Sequence, residues 1–171
     1  MLEREVRFGN EVDYQNWTAD KTPDSLLVLG KWFSQNVATM ERPEEEKKAK
    51  AEELARLSDK LRPMYEVPDW VLTERTFSLI TDIGMYLGET FQSNYSVIKW
   101  DLFIKTKLWA DHQWPVLRGF GRTDICNPLG LVHVLALGLV DGTRKAGGLH
   151  ELYNIWVHHI DDNQPKTENI E

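Results

Sequence analysis

Residues 69–94 read DWVLTERTFSLITDIGMYLGETFQSN, and residues 98–105 read IKWDLFIK. In the first stretch Leu72, Phe77, Leu79, Ile80, Ile83, Leu87 and Phe91 spread over nearly half the circumference at 100° per residue. That spacing predicts a long helix over about 69–94, capped by Asp69 and central in the core. In the second stretch the period drops to two. Ile98, Trp100, Leu102 and Ile104 alternate with Lys99, Asp101, Phe103 and Lys105, the pattern of a strand. With helix signals on both sides, the pair predicts an α+β fold: a mainly helical single domain of about five helices with a small antiparallel β-sheet.

Working outward, Thr22-Pro23-Asp24 is an N-cap followed by proline at the first helical position. Leu26, Leu29, Phe33, Val37 and Met40 then predict a helix over about 23–41. Arg42-Pro43-Glu44 opens a second helix that Pro63 ends. Its acidic first turn suits the helix dipole, and Glu44/Lys48 and Glu46/Lys50 are favourable i,i+4 pairs. Only Leu54, Leu57 and Leu61 give this helix an apolar stripe, and segment 41–62 holds seven acids and seven bases. A solvated helix face accounts for such a run, and a second copy completing the thin stripe is the alternative. His112 to Phe120 reads as a second strand, with Trp114, Val116, Arg118 and Phe120 on one face. Pro115 places it at an edge or at a strand start. Asn127-Pro128 starts a helix to about Val140, and Leu149, Leu152, Tyr153, Trp156 and Ile160 mark a last helix over about 149–160. Leu2, Val6 and Phe8 alternate weakly, as a further strand would. The domain is expected to span 1–162, with 163–171 a frayed polar tail.

The chain has 171 residues, 42% apolar and 27% charged, with 20 Lys and Arg against 27 Asp and Glu. That is enough apolar material for a core, and the net charge of −7 argues against binding a nucleic-acid backbone. The single cysteine, Cys126, excludes an internal disulfide and any multi-cysteine metal site. The charged start, Met1 to Arg7, has no apolar targeting core, and no run approaches the roughly 20 apolar residues of a membrane span. A cytoplasmic protein with no membrane partner and no cofactor is expected.

The chemistry-bearing residues fall into two groups. Asp82, Tyr86 and Glu89, spaced i, i+4, i+7, lie within about 60° of one another on a helix. They form a candidate acidic pocket that could bind a ligand, ligate a metal or act as an acid–base pair. Gly84 and Gly88 share another part of the same helix. Each costs roughly 1 kcal/mol against alanine, so a neighbouring helix or the Trp100 strand is expected to approach closely there. The second group is Trp109, Trp114, Arg118 and Arg122. These residue types concentrate binding energy at interfaces, and they lie in the most basic stretch of the chain. Gly119-Phe120-Gly121-Arg122 is also a candidate anion-holding turn.

Other signals are thinner. His150, Asn154 and His158 share a helix face, but the two imidazoles stand about 12 Å apart along it, too far for one ion. His158-His159-Ile160-Asp161-Asp162 does not match H-E-x-x-H, so no metal site is assigned. Cys126 precedes a helix start, where a thiol pKa can fall, although a small buried residue is the plainer account.

The segment Asp82-x-Gly84-x-Tyr86-x-Gly88-Glu89, followed by Trp100 on a strand, resembles a pattern in small bacterial domains of unknown function. Some of these are similar to immunity proteins of toxin systems. The resemblance covers Thr81 to Trp100, about one eighth of the chain, and implies a bacterial cytoplasmic domain without implying a reaction. The expected function is therefore a non-enzymatic binding module, of the immunity type, that neutralises a protein partner by occlusion. The alternative is a small enzyme or ligand-binding protein using Asp82, Tyr86 and Glu89.

Overall fold

In the computed structural model, residues 1–8, 14–58, 60–62, 67–104, 112–121 and 125–162 are described, residues 161 and 162 as helix backbone only. Helix α4, Glu74–Asn94, runs through the middle, and its Leu79, Ile83, Leu87 and Phe91 are almost wholly buried. Around it stand α1 (Leu2–Phe8), α2 (Pro23–Asn36), α5 (Pro128–Val140) and α6 (Gly148–Asp162). Helix α3, Glu44–Ala55, buries no residue. Two small antiparallel sheets complete the α+β fold. One pairs β1 (Thr39–Glu41) with β2 (Trp70–Leu72), and the other has the order β3 (Lys99–Leu102), β4 (Pro115–Arg118), β5 (Ile125–Cys126).

Where helices begin, local chemistry decides. The Thr22 hydroxyl accepts the Ser25 N–H at 3.2 Å, and Pro23 needs no partner for an amide it lacks. The Asn127 side chain accepts the Gly130 N–H at 2.9 Å and starts α5. The central helix starts later than its apolar spacing predicts. Thr73, whose hydroxyl accepts the Thr76 N–H at 3.2 Å, is the cap in place of Asp69.

Residues 70–72 are instead a strand. Thr39 registers with Leu72 and Glu41 with Trp70, so the helix predicted to reach residue 41 ends at Asn36. The junction is fixed by Thr76. Its hydroxyl meets both the Ala38 N–H and the Ala38 carbonyl at 3.0 Å, while the Thr73 N–H bonds the same carbonyl at 3.1 Å. Long-range pairing satisfies these backbone groups and overrides the local periodicity that placed Val37 and Met40 on a helix.

Three further expectations are corrected. The first residues form α1, because Leu2 and Val6 are one helical turn apart and bury together, leaving Phe8 exposed. The second helix ends at Ala55, well before Pro63, and the Arg62 guanidinium returns to the Leu54 and Leu57 carbonyls. On the first predicted strand Ile98 and Phe103 are buried while Leu102 and Ile104 are exposed, so the alternating face holds at one end only. Pro115 does open its strand, but β4 is the middle of three, with its ladder beginning at the Pro115–Leu102 register. The predicted tail, 163–171, lies outside the described residues.

Candidate functional site

The D-x-G-x-Y-x-G-E segment lies within α4. Lys21 sits beside it in the left-handed region, at φ 60°. The Lys21 N–H donates to the Tyr86 hydroxyl oxygen at 2.9 Å, and its ammonium meets the Glu89 carboxylate at 3.1 Å. Asn94, at the end of α4, donates to the Lys21 carbonyl at 2.8 Å. Three side chains of one helix thus hold a residue whose backbone costs roughly 1–2 kcal/mol to keep there.

The Tyr86 hydroxyl also lies 2.7 Å from Ser25 Oγ. Ser25 gives its own hydrogen to the Thr22 carbonyl at 2.7 Å, which leaves Tyr86 as the donor in that pair. The result is a continuous relay from the Lys21 amide through Tyr86 and Ser25 into the first turn of α2. Trp17 closes over it, with an edge-on ring contact to Tyr86 at 5.7 Å and its indole N–H on the Ser25 carbonyl at 3.0 Å. Burial raises the Tyr86 pKa above the usual phenol value. Tyr86 therefore stays a neutral donor in an architectural network.

The two glycines answer to neighbours of the expected kinds. A methyl group at Gly84 would lie 2.9 Å from Leu129 Cα, so α5 crosses α4 backbone against side-chain-free backbone. One at Gly88 would collide with Cζ2 of the Trp100 ring. Of the three clustered polar residues, Tyr86 is buried and Glu89 and Asp82 are half-buried. Asp82 has no hydrogen bond or ion pair among the described residues. The concavity it shares with Met1, Met85 and Glu89 is a shallow depression open to solvent, without the enclosure that orients a substrate.

Of the second candidate group, Trp109 and Arg122 lie outside the described residues. Trp114 precedes β4 and is 46% exposed; it lies opposite Phe103, whose chain neighbours Leu102 and Ile104 are 50% and 71% exposed. The ladder continues here past the strand ends, with the Phe103 N–H on the Trp114 carbonyl at 3.1 Å. Arg118 pairs through Nε with the Asp101 carboxylate across β3 and β4. The Gly119-Phe120-Gly121 turn serves packing: Gly119, at φ 112°, passes the Val97 carbonyl with no room for a side chain, and Phe120 is buried.

Phe120 joins an aromatic group with Phe91, at 5.0 Å, and Trp156, at 4.9 Å; Tyr153 stacks on Phe91 at 4.7 Å. Burial, with Tyr95 alongside, pushes the Tyr153 pKa up to about 12. His159 stacks on Trp156, His133 meets Phe77, and His150 shares a contact with Asn154. Among the described residues no three His, Cys, Asp or Glu side chains gather in a way that would hold a metal ion. Cys126 is fully buried in β5. Among the described residues no helix is long and apolar enough to cross a membrane.

No protein-family model, curated protein or solved structure matches this chain. Its function must then be read from its own surfaces. The signal that sequence reasoning missed is Lys21, a left-handed residue immediately before the Thr22 cap of α2. Only its place in a short polar run, Asp20-Lys21-Thr22, marks a turn.

Proposed function

We propose that the chain is a non-enzymatic protein-binding module that neutralises its partner by covering part of the partner's surface. That is the mode of action suggested by the resemblance of residues 81–100 to immunity-type domains. The observation that carries the reading is the exposure of Trp114 with Leu102 and Ile104 at the open end of β3 and β4. A tryptophan left half in water, on the strand pair that carries the Asp101–Arg118 ion pair, has the make-up of an interface anchor with a polar rim. The acid–base alternative is weaker, because Tyr86 and Glu89 are committed to Lys21.

The test is affinity capture from the cells that naturally express the chain, comparing wild type with Trp114→Ala. A protein held at fixed stoichiometry by wild type and lost by the variant, with unchanged thermal melts, supports the reading. Equal capture by both sinks it. A small molecule retained by wild type and lost in Asp82→Asn would move the function to the acidic depression.

A further inference from the structure

Helix α5 reads PLGLVHVLALGLV and carries no charged residue. A helix apolar on every side is ordinarily enclosed, yet Val134 on α5 is 58% exposed and Ile155 on α6 is 51% exposed. Together with Leu131 and Leu152 they line an apolar groove between the two helices, enclosing about 150 Å³. A space of that size takes a benzene-sized apolar group. Two charges also line the groove, Arg144 and Glu151, and neither is ion-paired among the described residues.

Arg144 lies against Gly138, to whose carbonyl its N–H donates at 2.8 Å, and Gly138 is one turn beyond Val134 on α5. Glu151 is one turn before Ile155 on α6. The cation thus extends the α5 wall and the anion the α6 wall, each one turn from its exposed aliphatic residue. Both stand at the end of the groove where the connection 141–147 joins the helices.

We infer that this face is where two copies of the chain meet, related by a two-fold axis running along the groove. That operation lays α5 of one copy over α6 of the other. Val134 then covers the partner subunit's Ile155, and Arg144 reaches the partner subunit's Glu151, twice by symmetry. A partner of one charge sign would satisfy only one of the two groups, whereas a second copy satisfies both. The surface is separate from Trp114 and does not depend on the reading proposed for it.

The experiment is sedimentation equilibrium with native mass spectrometry on the full chain, from micromolar to near-millimolar concentration. Wild type is expected at twice the 19.9 kDa chain mass. Arg144→Glu and Glu151→Arg, each exposing like charges to one another, are each expected to weaken the dimer by about tenfold or more. Mixed in equal amounts, the two variants are expected to recover it as a heterodimer, resolved by mass. Val134→Glu is expected to abolish it, with far-ultraviolet circular dichroism confirming that the fold is kept. A monomer at every concentration overturns the inference. So does a dimer that the single variants leave intact, or a mixture that fails to recover.

Discussion

The Tyr86 hydroxyl accepts the backbone N–H of Lys21 at 2.9 Å across 65 residues of chain, and holds Lys21 at a backbone angle that few side chains adopt. Tyr86→Phe keeps the ring against Trp17 but leaves the Lys21 amide and Ser25 without their partner. A loss of about 1–3 kcal/mol is expected from urea unfolding. Glu89→Gln, which removes only a solvent-exposed ion pair, is expected to cost no more than about 1 kcal/mol. A larger loss from Glu89→Gln than from Tyr86→Phe would show that the ion pair, and not the phenol, is the main support of Lys21.

At the α4 glycines the two neighbours differ in how far they can yield. Leu129 approaches Gly84 with its backbone, so Gly84→Ala is expected to destabilise by about 1–3 kcal/mol with no local remedy. Gly88 faces a side chain, the Trp100 ring. Gly88→Ala should therefore cost less in the presence of Trp100→Leu than alone. A double-mutant cycle with no coupling between positions 88 and 100 would refute the contact.

Stability should fall at high pH. Tyr153 has its pKa raised to about 12, and Tyr86 is raised as well, both by burial. In the unfolded chain a tyrosine loses its proton near pH 10. Below that value both states are neutral and the stabilisation is complete. As pH climbs from about 10 towards 12 the unfolded state ionises first, and stability declines. Urea midpoints at pH 8, 10 and 11 should show the decline, and Tyr153→Phe should flatten it.

Helix α3 buries nothing and is held by surface pairs such as Lys47 with Glu41 and Glu44, each at 2.7 Å. Its amides are expected to exchange with solvent far faster than those of α4, since little apolar contact opposes local opening. Exchange mass spectrometry reads this directly, and comparable protection in residues 44–55 and 74–94 would contradict it.

The sequence was most legible where local and tertiary forces agree. Helix α5 has its Asn127 cap, its proline and its apolar run in the right order, and it starts where they say. The strand at 70–72 was hidden because Leu72 also fits the helical spacing of Leu79 and Ile83, and only pairing with 39–41 decides between them. In the candidate site, the glycine spacing announced close neighbours, but identifying Leu129 and Trp100 required the fold. The polar triad was misleading for a related reason. Tyr86 and Glu89 share a helical face, and a loop from elsewhere in the chain occupies it.

Four letters of the D-x-G-x-Y-x-G-E segment each answer to a distant position: Gly84 to Leu129, Tyr86 to Lys21 and Ser25, Gly88 to Trp100, Glu89 to Lys21. In chains that share this fold, such positions are expected to drift in pairs. A narrower side chain at 100 would license a bulkier one at 88, and an asparagine or glycine at 21 would relax the demand for Tyr86. The segment is thus a set of packing constraints on the interior, and it leaves the outward-facing surfaces free to vary independently of it.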